Sequence, residues 1–292
     1  MERETGELQI RAEESLRKKF HKKLFSAFAK AIVAYDMIRE GDRIAVCISG
    51  GKDSVLMAKL FQELQRHRKF AFDLKFLVMD PGYSGKNRKL IEENTRLLGI
   101  PVIVYETDIF ENVTHIEKSP CYICARMRRG HLYSKAKEMG CNKIALGHHY
   151  DDVIETILMG MLYGAQMQTM MPKLKSENFE GMQLIRPMYL IREEHIIQWR
   201  DANGLEFIQC ACKFTESNAY ADPDSNSKRQ KVKALIRKLK SDDPEIEQNI
   251  FKSVENVSLS TSIKPNVLIF NYYFFCDYCH CRYRPLRNVA TV

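Results

Sequence analysis

Ser49-Gly50-Gly51-Lys52-Asp53-Ser54 lies between a short apolar run and a helical stretch, and it has the composition of a phosphate cradle. Glycines let the backbone approach an anion, a helix N-terminus offers unpaired N–H donors and a favourable dipole, and Lys52 adds a point positive charge. It is not a Walker A loop, because GxxxxGK[ST] is absent. The ordinary alternative is a tight turn between strand and helix. A second polar group, Gly147-His148-His149-Tyr150-Asp151-Asp152, runs on to Glu155-Thr156. Asp151 and Asp152 could serve there simply as helix-capping residues. Nine cysteines fall into the groups Cys121/Cys124, Cys210/Cys212 and Cys276/Cys279/Cys281, with Cys47 and Cys141 apart. In a reducing compartment close pairs point to metal binding or redox work, not to disulfides.

Both polar loops directly follow predicted strands. Residues 8–40 read as one helix, because Leu8, Leu16, Phe20, Leu24, Phe28 and Ile32 recur at spacings compatible with one face. RIAVCIS (43–49) has the character of a buried strand, and 53–68 reads as a helix. Strands at 73–79, 101–105 and 143–147 then alternate with helices at 87–98, 122–139 and 151–163. Residues 164–182 read as irregular and Met-rich, a pattern usual in core packing. Residues 183–187, a helix near 192–203, a short strand near 205–209 and a basic amphipathic helix at 227–239 follow. This alternation predicts an α/β, doubly wound, mostly parallel five-stranded sheet covered on both faces. It would carry an N-terminal helix and a C-terminal helical extension. Ligands of such sheets bind beyond the C-terminal strand ends. No solenoid repeat is present.

At 292 residues and 45% hydrophobic content, a sizeable core needs no disulfides. No run of roughly 18 apolar residues occurs, so no membrane span is expected. The start, MERETGELQI, lacks the apolar stretch of a secretory signal, which predicts a cytoplasmic protein. The net charge of +8 is concentrated at 11–30, 126–137 (RMRRGHLYSKAK) and 228–240 (KRQKVKALIRKLK). Each run alone could be a solvated helix face. Three of them beside a nucleotide loop favour a polyanionic partner such as RNA.

The strand–SGGKDS–helix element resembles the PP-loop ATP pyrophosphatases, which carry SGGxDS after the first strand. That family cleaves ATP between the α and β phosphates, leaves AMP on its substrate and releases pyrophosphate. Gly147 to Asp152, continuing to Glu155-Thr156, resembles the GHHxDDxxET element of tRNA-modifying members. The resemblance implies that Ser49, Gly50, Gly51, Lys52, Asp53 and Ser54 bind nucleotide with Gly147, His148 and Asp80, which follows the second predicted strand. Lys52, Asp53, Asp151 and Asp152 would be catalytic, because pyrophosphate departure requires Mg²⁺, acidic groups to hold it, and positive charge. His148 would position phosphate or orient the base.

Cys121-Tyr122-Ile123-Cys124 directly precedes ARMRRG, and Cys210 and Cys212 follow later. The arrangement resembles the tRNA 2-thiocytidine synthetase family, whose members hold a [4Fe–4S] cluster on a central CxxC and one later cysteine. The resemblance runs from about residue 8 to 257. It includes residues 126–130, 144–152 and 159–164, Met171-Pro172-Lys173-Leu174 and Ile185-Arg186-Pro187. It implies Cys121, Cys124 and Cys212 as cluster ligands, leaving one iron without a protein ligand. The family often has a CxxC-like pair in the later position, whereas this chain has Cys210-Ala211-Cys212, so Cys210 stays open as the third ligand. A structural zinc pair is the alternative for Cys121 and Cys124. Cys47 reads as a small core residue. The implied reaction adenylates O2 of a cytosine in the tRNA anticodon loop and replaces that oxygen with sulfur. Its cofactors would be ATP, Mg²⁺ and [4Fe–4S], its partners tRNA and a sulfur donor of the cysteine desulfurase kind. A homodimer is the expected assembly, as the commonest symmetric one.

The implied organisation is an N-terminal helical segment (1–41), a PP-loop ATP-binding domain with an inserted CxxC helix (42–212), a basic helical extension (213–257) and an atypical tail (258–292). The tail departs from the family; its cysteines with His280 could form a zinc half-site, or the tail is an altered C-terminus. A lysidine-forming relative would need no cysteine cluster, and a 2-thiouridine-forming one carries zinc knuckles at both termini. A non-catalytic, metal-containing RNA-binding module is the reading from a different class. Intact Lys52, Asp53, Asp151 and Asp152 argue against it.

Overall fold

The computed structural model describes residues 2–67, 70–113, 120–208 and 228–257. Strands β1 (Arg43–Ile48), β2 (Asp73–Asp80), β3 (Val102–Glu106), β4 (Lys143–Ala145), β5 (Lys173–Lys175) and β6 (Gln183–Ile185) form one sheet in the order β3-β2-β1-β4-β6-β5. All neighbours are parallel except β5 and β6. The sheet is therefore six-stranded, not five. The added strand is Lys-Leu-Lys at the edge, inside the stretch expected to be irregular. Its alternating lysines suit an exposed edge and leave too little apolar pattern to announce a strand. The strand expected near 205–209 does not form over residues 205–208.

Alternation along the strands feeds two packed layers. Ile44, Val46 and Ile48 of β1 enter one cluster with Val55 and Leu56 of α3 (Lys52–Arg66), Ile91 of α4 (Gly85–Leu97) and Val153 of α7 (Tyr150–Gly164). Ala45 and Cys47 face the opposite cluster, with Tyr133 and Ala136 of α6 (Pro120–Glu138). Ala145 and Ile185 join the first layer, Ile144 and Leu184 the second. Helices thus cover both faces.

The long N-terminal helix is broken. α1 (Glu2–Arg17) leads into a π-helical turn, His21–Phe25, and then α2 (Ser26–Ala34). Leu16, Phe20, Leu24, Phe28 and Ile32 are all buried. A stripe spaced every four residues drifts by about 40° per step on a 3.6-residue helix, and a wider π turn absorbs that drift. A short helix α5 (Ile109–Val113) follows β3, and α8 (Glu193–Ala202) follows β6. Helices α9 (Lys228–Asp242) and α10 (Ile246–Ser253) pack on α7. Among the described residues, no helix is long and apolar enough to cross a membrane.

Candidate active site

The chain runs from β1 outward to β2 and β3, then returns to place β4 on the other side of β1. The loops leaving β1 and β4 therefore diverge at a topological switch point, where open α/β sheets bind ligands. Gly50 adopts φ +82°, and a Cβ there would come within 2.5 Å of Ile91, so both backbone and space require glycine. Ser54 is buried; its hydroxyl accepts from Ser49 N–H (3.1 Å) and donates to the Gly51 carbonyl (2.9 Å), folding the loop around itself. Gly51 precedes α3 without any side-chain cap, which leaves first-turn N–H groups open to an anion. The β4 loop presses directly on this turn: a Cβ on Gly147 would lie 3.2 Å from backbone atoms of Asp53 and Ser54.

Acids and bases interlock on the α3–α7 side. Lys52 Nζ lies 3.1 Å from both Asp53 Oδ1 and Glu193 Oε1. Burial works against the Lys52 charge, yet Asp53 and Glu193 outweigh it and hold its pKa up. Burial likewise opposes the Glu193 charge, but Lys52, Lys233 and His149 pull its pKa down to about 2. Asp151 accepts from the Glu193 N–H (2.7 Å) and from Arg192 (3.1 Å), which also bonds Glu247 at 2.7 Å. Asp152 accepts from the His149 N–H at 3.0 Å, and Arg229 reaches both Asp152 (3.1 Å) and buried Glu155 (2.7 Å). Burial raises the Glu155 pKa despite Arg229 and Lys233. Buried His149 places Nε2 3.9 Å from Asp53 Oδ1 and 3.5 Å from Asp152 Oδ2, so these two carboxylates converge on one imidazole. Asp53 Oδ1 is buried and, among the described residues, accepts no hydrogen bond; Lys52 is near it without the required alignment.

The α6 side of the same strand ends differs. His148 Nδ1 accepts from Arg186 Nε at 3.4 Å. Burial, then Arg186, push the His148 pKa down to about 4, so the ring is neutral. Asp80, at the end of β2, is fully occupied: Oδ1 accepts from the Gly82 and Tyr83 N–H groups and Oδ2 from Arg88 (2.6 Å). These contacts outweigh burial and keep Asp80 ionised below its usual range. Asp80 thus shapes the β2–α4 loop, whose Tyr83 hydroxyl donates to the Ser49 carbonyl at 3.4 Å. Cys124 on α6 is half-buried against the cluster of Met79, Ile109 and Val113, and it acts electrostatically on Tyr83. Cys121 lies on the same helix, one turn earlier. Cys210, Cys212 and the tail cysteines lie outside the described residues.

A PP-loop domain model matches residues 16–236. A tRNA-cytidine(32) 2-sulfurtransferase from Pelobacter propionicus is 36% identical over 239 residues, covering 81% of this chain and 86% of its own length. One from Alkalilimnicola ehrlichii is 35% identical, with 83% and 76% covered. The chain belongs to the tRNA-cytidine(32) 2-sulfurtransferase family. In fold, it is similar to the U34-tRNA thiolase NcsA of Methanococcus maripaludis, solved with its [4Fe-4S] cluster, at a TM-score of 0.61 and 20% identity over 79% of this chain and 76% of that one.

For this 2-sulfurtransferase relative, the sequence-predicted loop, Gly147, Asp53, Asp151 and Asp152 come together at the switch point. Asp80 reaches the loop only through Tyr83. Glu193, Arg192, Arg229, Lys233, Glu247 and Arg186 escaped the sequence reading as members of the site. Their local signals were an acidic pair at the start of α8 and a basic run in α9, both ordinary on helix surfaces, and, for Arg186, the Ile185-Arg186-Pro187 motif of the family resemblance. Within the basic run of α9, Arg229, Lys233 and Lys240 pair with Glu155, Glu193 and Glu247, while Lys228, Lys231, Arg237 and Lys238 stay exposed.

Proposed function

We propose that the protein adenylates O2 of a cytosine in the tRNA anticodon loop and exchanges that oxygen for sulfur, giving 2-thiocytidine. Besides family membership, the observation that carries this reading is the backbone contact of Gly147 on the SGGKDS turn. It sets Asp53, Asp152 and His149 beside an uncapped helix N-terminus. The turn and Lys52 would receive the phosphates. Cytosine O2 attacks the α-phosphorus, the bond to the β-phosphate breaks, and pyrophosphate leaves. A sulfur nucleophile then attacks C2, and AMP departs with the former carbonyl oxygen. Adenylation is needed because an amide-like oxygen is a poor leaving group.

The open Asp53 Oδ1 and the nearby Asp152 fit a hard cation that takes oxygen ligands. Mg²⁺ held there would neutralise charge on the departing pyrophosphate. Asp151 anchors the start of α8 through the Glu193 N–H and Arg192, whereas Asp152 would join the cation by releasing Arg229. Cys124, a thiol outside any disulfide that acts on Tyr83 beside the loop, fits as a ligand with Cys121 and Cys212. A [4Fe–4S] cluster on those thiolates would supply an iron site able to carry sulfur. A cysteine desulfurase system is the sulfur source this reading implies.

The test is anaerobic reconstitution with iron and sulfide, followed by ATP, Mg²⁺, a sulfur donor and unmodified tRNA, with mass spectrometry of the digested nucleosides. New 2-thiocytidine that vanishes in Cys121→Ala and Cys124→Ala is the expected result. 2-Thiouridine would reassign the base, and lysidine formed with added lysine would remove the sulfur role.

A further inference from the structure

Arg186 leaves the end of β6 and is only 6% exposed. Its Nη1 donates to the Met171 carbonyl and its Nε to His148. No described carboxylate pairs with it; Asp152 acts on it only weakly, behind the repulsion of Arg129 from α6. A buried guanidinium with no counter-charge is costly unless something anionic completes it. The neighbouring histidine cannot do so, and it donates nothing back: its Nδ1 accepts from Arg186, which leaves the ring proton on Nε2 as a further donor. Donors from two elements thus meet here, Arg186 after β6 and His148 after β4, and the charge of Arg129 on α6 acts on Arg186 as well. The acids of the site lie on the other side of the strand ends, already matched to Lys52, Arg192, Arg229 and Lys233.

We propose that Arg186, with the Nε2–H of His148, receives a phosphate group on the α6 side of the strand ends. The planar guanidinium suits phosphate oxygens, and burial makes each such hydrogen bond stronger than at the surface. Two sources share this chemistry: the phosphate of the nucleotide and a backbone phosphate of the tRNA. The inference rests on the proposed function only in taking these two ligands as the substrates.

Arg186→Gln and Arg186→Lys separate the sources by binding alone. Affinity is measured by calorimetry for a non-hydrolysable ATP analogue with Mg²⁺, and by titration of an unmodified anticodon stem-loop at several salt concentrations. Arg186→Gln should weaken one ligand by about tenfold or more. If that ligand is the RNA, the salt slope also falls by about one. Arg186→Lys keeps the charge and should lose less. Circular dichroism checks folding; if Arg186→Gln unfolds because the Met171 carbonyl loses its donor, Arg186→Lys and His148→Asn carry the test, each expected to weaken the same ligand. Folded variants that bind both ligands within twofold of the wild type overturn the proposal. Wild-type pyrophosphate release, measured in parallel, reports separately on the proposed reaction.

Discussion

His148 and His149 are adjacent, yet they serve opposite electrostatic regions. On the α3–α7 side, Asp53, Asp151, Asp152, Glu155, Glu193 and Glu247 are interleaved with Lys52, Arg192, Arg229, Lys233 and Lys240. On the α6 side, Arg186 and a neutral His148 make no hydrogen bond or ion pair to a described carboxylate, and Asp152 acts on both only through space. The first region is compensated before any ligand arrives, so binding there exchanges partners: a cation must displace Arg229 or Lys52 from its acids. The second gains a counter-charge only when an anion enters. Under the proposed function, the first side would hold metal and pyrophosphate and the second would hold a phosphate.

The largest effect should come from the oxygen left open on the compensated side. Asp53→Asn should lower tRNA-dependent pyrophosphate release about 100-fold or more, since the group would act on charge developing in the transition state. The melting temperature should fall only modestly, because Lys52 loses Asp53 as a counter-charge but keeps Glu193 at 3.1 Å. Cys124→Ala should divide the chemistry differently: 2-thiocytidine disappears from the nucleoside digest while pyrophosphate release stays within a fewfold of the wild type. Loss of both activities together would show that α6 supports adenylation as well.

Stability measurements sharpen the same contrast. Glu155 is 2% exposed and holds Arg229 and Lys233. Glu155→Gln should cost roughly 1–2 kcal/mol in urea unfolding, below the usual figure for a broken buried pair because both cations reach solvent. Acid should act through both regions in turn. His148 has its pKa depressed from 6.5 to about 4, so the unfolded chain binds more protons between those values and stability falls as pH drops through that window. Glu193, held near 2 against an ordinary 4.5, contributes stability above 4.5 that is lost as pH falls towards 2. Melting temperatures from pH 7 to 3 should show both losses. His148→Gln should flatten the first and Glu193→Gln the second.

Much of the frame on the α3–α7 side was legible. A glycine turn between an apolar run and a helix is a local feature, so SGGKDS and the β4 loop could be read and placed at strand ends. The second loop's role needed the family resemblance, because acids at a helix start serve equally well as caps. The edge strand β5 was not legible: Lys173, Leu174 and Lys175 become a strand only because β6 offers a free edge. The apolar stripe of the N-terminal segment was read as one face of a single helix, while its four-residue spacing held the unread signal of the π turn.

By itself the sequence determined the alternation of strands and helices, the glycine turn after β1, the paired acids and the CxxC on a helix. These depend on residues a few positions apart, whose propensities and hydrogen bonds act locally. Only the tertiary structure decided which charges meet. Lys52 pairs with Glu193 across 141 positions, Arg229 with Glu155 across 74, and Arg186 with His148 across 38. No periodicity encodes such pairings; they follow from strand order, which brings the ends of β1, β4 and β6 together and splits their side chains between two faces.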